Sequence, residues 1–279
     1  MEGSEEPQAV YIEQLYGDTG LSEEEVGAIV DQSLHPRSRD MLFDVAAGLG
    51  LARGQRLLDV GCGDGRYLFE LTRRFGCVAF GVDPVRANVQ RARAARERTR
   101  ENEPVVASLV HIARGRIEAL PFSDSTFDLV WARDMLLHVG DLTAGLRECR
   151  RVLAPGGHAL VLQMFATPWL EPAEARRLWP PLAAVPRNVD PEYFEACVHR
   201  AGFTVGSRED LRGEWREFAE ETGERTTSRK LLRAARLIRA RDRFLPELGR
   251  PAYETELADC LWGIYQMIGK LSARVYVLA

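Results

Sequence analysis

The sequence predicts an α/β fold: a doubly wound sheet of seven mostly parallel strands, with helices on both faces. Between Arg56 and Met164, five short apolar runs alternate with helical segments, and this order is typical of a parallel sheet. The first run ends in glycines at alternate positions, Gly61, Gly63 and Gly65. Because glycine permits positive φ and close approach of a ligand, this turn is a candidate binding loop at the carboxyl end of a strand.

The composition argues against a membrane span and a broad nucleic-acid surface. The net charge is −4, and no apolar stretch reaches the roughly 20 residues that a span needs. The acidic start MEGSEEPQAV lacks a secretory core, so we expect a cytoplasmic location. The five cysteines form no CxxC pair, which favours small core residues over disulfides or a metal site; no metal is expected.

The hydrophobic periodicity divides the chain into four regions. Helices are predicted over 1–52, the main α/β core over 53–210, a helical insert over 211–272 and the last core strand over 273–279. The insert would bind a substrate that accepts a transferred group, or it would mediate dimerisation. A solvated cover helix is the alternative. In the first region, Ser22 begins a capping-box pattern for a helix near Glu23.

The glycine turn favours a cationic ligand over a phosphate. The phosphate-loop pattern GxxxxGK followed by Ser or Thr is absent. A dinucleotide fingerprint, GxGxxG, would need glycine at position 66, where the sequence has Arg66. Asp59 lies just before the turn, where its charge would repel a pyrophosphate and suit a cation.

Four motifs in order resemble those of class I S-adenosylmethionine-dependent methyltransferases. LLDVGCGDG in the first strand and turn is similar to the first motif of the family. GVDP at 81–84, EALPFSDSTFDLVWARDMLLHV at 118–139 and RVLAPGGHALV at 151–161 resemble its later landmarks. The resemblance covers roughly 35–210 and implies an S-adenosylmethionine-binding core at 53–210. It also implies that the N-terminal helices form a lid, with packing helices as the alternative; the lid candidates are Tyr11, Tyr16 and His35.

The resemblance implies a set of cofactor-binding residues: Asp59, Gly61, Cys62, Gly63, Asp83, Pro84, Arg116, Ile117, Glu118 and Arg133. The loop and Asp59 would hold the methionine end, together with backbone near Arg133. Asp83 would bind the ribose diol, and its alternative role is to cap the next helix. Arg116 stands where the family usually has an acidic residue for adenine, so the N–H of Ile117 and the side chain of Glu118 would serve instead.

Candidate catalytic residues follow the fourth strand. Asp134 and His138 are four positions apart, so a helix would place them on one face. Histidine is a natural general base near neutral pH, although a packing role for His138 is the alternative. His35 is a third candidate base.

The C-terminal third carries the remaining elements. Phe165–Val189 is a Pro-rich segment predicted to be irregular, and Asp190 caps the helix that follows. Strands are predicted at 203–207 and 274–278, with insert helices at 215–221, 228–244 and 253–271 between them. The second insert helix has an apolar side and a basic side.

The expected function is methyl transfer from S-adenosylmethionine to an oxygen, nitrogen or carbon atom of a small-molecule metabolite, as in natural-product tailoring. The alternatives are a cofactor-binding protein of the same fold with other chemistry or a partner-subunit role, and a nucleic-acid or protein methyltransferase. The NPPY-type signature of nucleic-acid amino methylation is absent. The insert is a candidate contact for a homodimer, and no nucleic acid or membrane partner is expected.

Overall fold

The computed structural model describes Tyr11 and residues 21–279, which belong to two compact units divided between Pro36 and Arg37. In the first unit, helix α1 spans Glu23–Val30 and begins with the predicted capping box. The Ser22 amide donates to Glu25 Oε2 at 2.8 Å, and the Glu25 amide donates to Ser22 Oγ at 3.2 Å. The lid candidate Tyr16 lies outside the described residues.

The second unit, 37–279, contains a seven-stranded sheet in the order β3-β2-β1-β4-β5-β7-β6. The strands are β1 (Arg56–Val60), β2 (Val78–Asp83), β3 (Val110–Arg114), β4 (Phe127–Arg133), β5 (Leu153–Ala166), β6 (Val205–Arg212) and β7 (Leu271–Leu278). β7 is antiparallel to both of its neighbours, and the pairs formed by the first five strands are parallel. The predicted fold class is therefore confirmed. The strand order reverses between β1 and β4, where open α/β sheets form a binding crevice.

Helices cover both faces of the sheet. In the second unit they are α2 (Met41–Gly48), α3 (Arg66–Phe75), α4 (Arg86–Asn102), α5 (Pro104–Leu109), α6 (Leu142–Val152), α7 (Pro172–Leu178), α8 (Pro191–Arg200), α9 (Glu214–Glu221), α10 (Thr226–Arg239), α11 (Arg241–Leu248) and α12 (Arg250–Met267). Two 3₁₀ helices span Leu136–His138 and Pro186–Val189. None of the helices in the described part of the chain is long and apolar enough to cross a membrane.

Each face of the sheet has its own hydrophobic core, and β4 contributes to both. Trp131 packs in one core with Leu68 of α3, and Val130 packs in the other with Leu146 of α6. This alternation explains the apolar sequence of β4, because a strand buried on both faces has no solvent-facing positions.

The N-terminal boundary differs from the predicted 52. The helix at Met41–Gly48 belongs to the compact second unit and buries Met41, Leu42, Phe43 and Ala46 there. Its apolar face makes it part of the core, so the compact unit begins at Arg37.

Three other predicted elements need correction. The segment Phe165–Val189 contains helix α7, which Glu171 caps in a box with Glu174. The predicted helix at 228–244 is two helices that meet at Ala240. Strand β6 runs from Val205 to Arg212, beyond the predicted end at 207. Its exposed polar residues lie at the edge of the sheet, where a polar sequence is compatible with a strand.

Candidate active site

The glycine turn after β1 is bonded directly to the end of β2. The amides of Gly61 and Cys62 donate to the carbonyl oxygen of Val82 at 2.7 and 3.1 Å. The Gly63 amide donates to Asp83 Oδ2 at 3.0 Å. Two neighbouring strand ends therefore meet at the carboxyl edge of the sheet, as the sequence predicts.

Glycine is required in this turn for two different reasons. Gly61 and Gly63 both have positive φ, 73° and 57°, which L side chains rarely adopt. A Cβ on Gly61 would also lie 2.8 Å from Met135 Cγ, whereas a Cβ on Gly63 would meet nothing within 4 Å. The turn is thus closed by packing at Gly61 and open at Gly63, where a ligand could approach the backbone.

Asp83 caps the next helix, as one of its two predicted roles requires, and also holds the glycine turn. Its Oδ1 accepts hydrogen bonds from the Val85 amide at 2.8 Å and from Asn88 Nδ2 at 3.1 Å, which fixes the start of α4. Its Oδ2 holds the glycine turn. Since an ionised carboxylate has about four acceptor positions, one position stays open for a hydroxyl donor. Asn88 was not among the predicted site residues, although its position within the first turn of α4 was a usable signal.

Asp59 is buried next to this turn, with 3% of its surface exposed. Burial raises its pKa to about 8, the positive charge of Arg133 opposes that rise, and the negative charge of Asp83 adds to it. A carboxyl in this state would gain much from a neighbouring cation. The arrangement is consistent with the cationic ligand that the sequence predicts.

Arg133, at the end of β4, is held by aromatic rings. Its Cζ lies 4.3 Å from the ring centroid of Tyr67 and 6.0 Å from that of Trp215. Its Nε is buried and has no hydrogen-bond acceptor among the described residues. Burial lowers the pKa of the guanidinium.

The segment proposed for adenine follows β3. The Gly115 amide donates to the Asp83 carbonyl oxygen at 3.3 Å, which brings the segment to the glycine turn. Arg116 has a 72% exposed side chain, 3.4 Å from the Glu118 carboxylate. Ile117 is buried against Gly145, and Pro84 is exposed at the start of the helix after β2.

Asp134 and His138 line one cavity of about 210 Å³, together with Leu137, Leu182, Asp259 and Trp262. They are not on one α-helix as predicted, because Asp134 has a positive φ of 53° and only Leu136–His138 form a 3₁₀ turn. The Asp134 Oδ1 is buried with no partner among the described residues. Burial raises its pKa to about 6, while Arg133, His138 and Arg216 act in the opposite direction.

The tautomer of His138 is set by the backbone. Its Nδ1 lies 3.1 Å from the carbonyl oxygen of Ala183, which can only accept a hydrogen bond. The neutral ring therefore carries its proton on Nδ1, and Nε2 is left as a proton acceptor. The third candidate base, His35, belongs to the first compact unit, and its amide donates to Ser33 Oγ at 3.0 Å.

A buried amide supports the turn that carries His138. Asn188 Nδ2 donates to the carbonyl oxygens of Leu136 and Val139 at 2.9 and 2.8 Å. The Gln163 side chain in turn donates to the Asn188 carbonyl oxygen at 3.0 Å. Asn188 was not predicted, because nothing in its own segment indicates partners 52 and 49 positions away.

Comparison with known proteins decides the family. A family model described as a methyltransferase domain matches residues 58–161, which contain the glycine turn, Asp83 and the β4 end. The chain is a class I S-adenosylmethionine-dependent methyltransferase. Its cofactor is S-adenosylmethionine.

Similar proteins methylate small molecules. The 27-O-demethylrifamycin SV methyltransferase of Amycolatopsis mediterranei is 30% identical over 187 residues, which are 64% of this chain and 66% of that protein. The O-methyltransferase resE of Aspergillus sclerotiorum is 26% identical over 182 residues, 65% and 67% of the two chains. Geranyl diphosphate C-methyltransferase of Streptomyces coelicolor A3(2), solved with S-adenosyl-L-homocysteine, shares the fold at a TM-score of 0.62 and 16% identity, over 85% of this chain and 76% of that one.

We call the glycine turn, together with Asp59 and Asp83, the cradle. Its groups fit the cofactor chemically. The open space above Gly63 admits a ligand, Asp83 has capacity for a hydroxyl donor, and buried Asp59 suits a cationic ammonium. Among the described residues, no group of three His, Cys, Asp or Glu side chains is placed to hold a metal ion. All five cysteines are buried and free, which confirms their predicted role as core residues.

Proposed function

We propose that this methyltransferase transfers the methyl group to a hydroxyl oxygen of a small organic acceptor, with His138 as the general base. The reacting end of the acceptor would occupy the cavity of about 210 Å³ that Asp134 and His138 line. The observation that carries this proposal is the 3.1 Å contact between His138 Nδ1 and the Ala183 carbonyl oxygen. It fixes the tautomer in which Nε2 can accept a proton.

A positioned base matters most for a hydroxyl acceptor. The sulfonium methyl of the cofactor is already activated, so the protein mainly aligns the acceptor atom with it and excludes water. A neutral hydroxyl must lose its proton as the new bond forms, whereas a neutral amine can react through its lone pair first. A site with a tautomer-fixed histidine therefore favours oxygen over nitrogen.

Asp134 would support the charge that His138 gains. With its pKa raised to about 6, the carboxyl is mostly ionised at pH 7. An ionised Asp134 beside His138 would stabilise the imidazolium that forms when Nε2 accepts the proton.

The cofactor contacts form part of the same proposal. Asp59 and the Gly61–Gly63 backbone would hold the methionine end, with Arg133 beside it. Asp83 would bind the ribose, and the remaining contacts follow from their positions at the ends of β2 and β3: Pro84, Arg116, Ile117 and Glu118. One of the similar proteins is named as an O-methyltransferase and another as a 27-O-demethylrifamycin SV methyltransferase, which supports natural-product tailoring.

The test is a methyl-transfer assay with radiolabelled S-adenosylmethionine and a panel of phenolic and aliphatic hydroxyl acceptors. His138→Gln should lower the rate by roughly 10²–10⁴ while S-adenosylhomocysteine still binds with its normal affinity. His199→Gln, an exposed histidine on α8, is the matched control and should leave the rate unchanged. Near-normal turnover of His138→Gln would refute the base. Intact cofactor binding without transfer to any acceptor would favour a protein of this fold with other chemistry.

We also infer the oligomeric state of the protein, the absence of nucleic-acid binding and its cellular location. Exposed Leu231, Leu232, Ile238 and Leu248 on the insert are suited to a homodimer contact, which light scattering at several concentrations would test. The net charge of −4 supports the absence of nucleic-acid binding. Free buried thiols are compatible with a reducing compartment, which supports the expected cytoplasmic location.

A further inference from the structure

Three arginines from separate segments interact electrostatically with Asp134 beside the candidate active site. They are Arg39 before α2, Arg133 at the end of β4 and Arg216 in α9, and we call them the arginine cluster. Arg39 lines a cavity of about 450 Å³ together with Tyr67 and Trp215, the two rings that Arg133 contacts. Arg216 follows Trp215 directly.

None of these three guanidinium groups forms an ion pair within residues 37–279. By contrast, nearby Arg37 binds both Glu209 and Glu214. Within residues 37–279, Arg216 donates a side-chain hydrogen bond to a neutral group, Gln266 Oε1, at 2.7 Å from its Nε. Arginines that are partly buried without a carboxylate are uncommon, because the charge loses hydration with no compensation.

Donor groups without acceptors lie in the same place. Arg133 Nε and Trp215 Nε1 are both buried and lack a partner among the described residues. Unsatisfied buried donors are costly, and a bound acceptor group would satisfy them. They also show that the cluster has directional hydrogen-bond capacity in addition to charge.

The neighbouring carboxyl groups neutralise the cluster only in part. Burial raises the pKa of Asp59 to about 8, so that carboxyl is mostly protonated at pH 7, and ionised Asp134 supplies one negative charge against three guanidinium groups. Asp259, at the edge of the smaller cavity, pairs with Lys230. In the larger cavity, Asp40 and Glu70 both pair with Arg74, and the third lining carboxyl group, Glu224, forms no ion pair with the cluster within residues 37–279.

Burial lowers the pKa of Arg133 and Arg216, and the positive charge of Arg39 contributes to both changes. Arg39 therefore repels both of the other cations in a partly desolvated space. Such an arrangement is stabilised when an anion binds, and a planar guanidinium matches a carboxylate or phosphate well.

We propose that the acceptor of this methyltransferase carries a carboxylate or phosphate group that binds the arginine cluster. This inference rests on the proposed function, which places the hydroxyl group of the same acceptor in the cavity that His138 lines. Asp134 joins the two regions, since it lines that cavity and interacts electrostatically with Arg216, Arg133 and Arg39. The same chemistry could also come from a second source, the methionine carboxylate of the cofactor, and the experiment separates the two.

The test titrates the full chain with inorganic phosphate and with benzoate, followed by tryptophan fluorescence, with and without saturating S-adenosylhomocysteine. We expect at least one anion to bind when S-adenosylhomocysteine is present. Arg216→Gln should weaken that binding roughly tenfold or more, because a charged hydrogen-bonding partner is lost. Arg243→Gln is the matched control, an insert arginine with a 71% exposed side chain, and should bind anions normally.

Two results would overturn the proposal. If neither anion binds to the folded protein, the cluster is not an anion site. If S-adenosylhomocysteine abolishes anion binding, and Arg216→Gln weakens S-adenosylhomocysteine but not 5′-methylthioadenosine, the cluster holds the carboxylate of the cofactor instead. Failure of His138→Gln to lower the rate would refute only the base, since anion binding does not depend on it.

Discussion

Asp83 accepts the amide of Gly63 at 3.0 Å on one carboxylate oxygen, while its other oxygen holds the start of α4. A single side chain therefore joins the first glycine turn to the helix after β2. The ribose and helix-cap interpretations of Asp83 are compatible, because one carboxylate can serve both the fold and a ligand. Their contributions can be separated by measuring stability and affinity on the same variants.

Asp83→Ala should lower both the free energy of unfolding and the affinity for S-adenosylhomocysteine. The substitution leaves the Gly63 amide and Asn88 without their acceptor, which should cost about 2–4 kcal/mol of stability. If Asp83 also binds the ribose, affinity should fall by about 1–3 kcal/mol. Asn88→Ala is the control and should lower stability by about 0.5–1.5 kcal/mol with little change in affinity. Unchanged calorimetric affinity of Asp83→Ala would leave Asp83 a purely structural role.

Binding of S-adenosylmethionine should release a proton from Asp59. In the cofactor-free protein burial raises the Asp59 pKa to about 8, so the carboxyl is mostly protonated at pH 7. A neighbouring ammonium favours the charged form and would displace that proton. Calorimetry in HEPES and Tris buffers should therefore give binding enthalpies that differ by up to the difference between the ionisation enthalpies of the two buffers. Asp59→Asn should remove the difference, as should 5′-methylthioadenosine, which lacks the amino acid. Equal enthalpies for the wild type would place Asp59 away from the ammonium.

Asp59 should also make the cofactor-free protein less stable as pH rises from about 4 to about 8. The folded pKa is raised from 3.8 to about 8, so over this range the unfolded chain loses a proton that the folded protein keeps. The folded state then binds more protons than the unfolded state, and the free energy of unfolding falls with pH, by up to about 4 kcal/mol at pH 7. Asp59→Asn should show a smaller loss between pH 5 and 8 in urea unfolding. Identical pH dependence in the two proteins would contradict the raised pKa.

Asn188 should affect the reaction although it supports the turn that carries His138 and does not line the cavity. Asn188→Ala removes donors to Leu136 and Val139 carbonyl oxygens and should cost about 2–4 kcal/mol of stability. Because those carbonyls flank His138, the variant should also lower kcat, with little change in S-adenosylhomocysteine affinity. Thr204→Ala, which removes a hydroxyl from an exposed bond to the Ala279 carbonyl oxygen, is a control that should keep kcat. A normal kcat in folded Asn188→Ala would show that the turn does not depend on this amide.

The sheet could be predicted because its sequence patterns are local. Much of the site could not, because it depends on contacts between residues far apart in the chain. Apolar runs ending in glycine gave β1 and its turn, and the buried run FDLVWA gave β4. The edge strand β6 was predicted too short because its residues are exposed and polar. The arginine cluster could not be predicted, because Arg39, Arg133 and Arg216 lie far apart in the sequence and share the surroundings of Tyr67 and Trp215 only in the folded chain. Asn188 was missed for the same reason.

A matched set of glycine variants should distinguish packing from ligand contact in the turn. Gly63, Gly61 and Gly202 all have positive φ, so alanine should cost each about 1–2 kcal/mol in backbone strain. Gly61→Ala should cost roughly 1–3 kcal/mol more, since its Cβ would lie 2.8 Å from Met135 Cγ. Gly63→Ala places its methyl group in the open space of the cradle, so it should weaken S-adenosylhomocysteine binding at least about tenfold through steric exclusion, about 1.4 kcal/mol. Gly202→Ala, at the end of α8, shares the strain and should bind the ligand normally. Calorimetric titration of the three folded variants checks this order, and equal affinities for Gly63→Ala and Gly202→Ala would place the cofactor elsewhere.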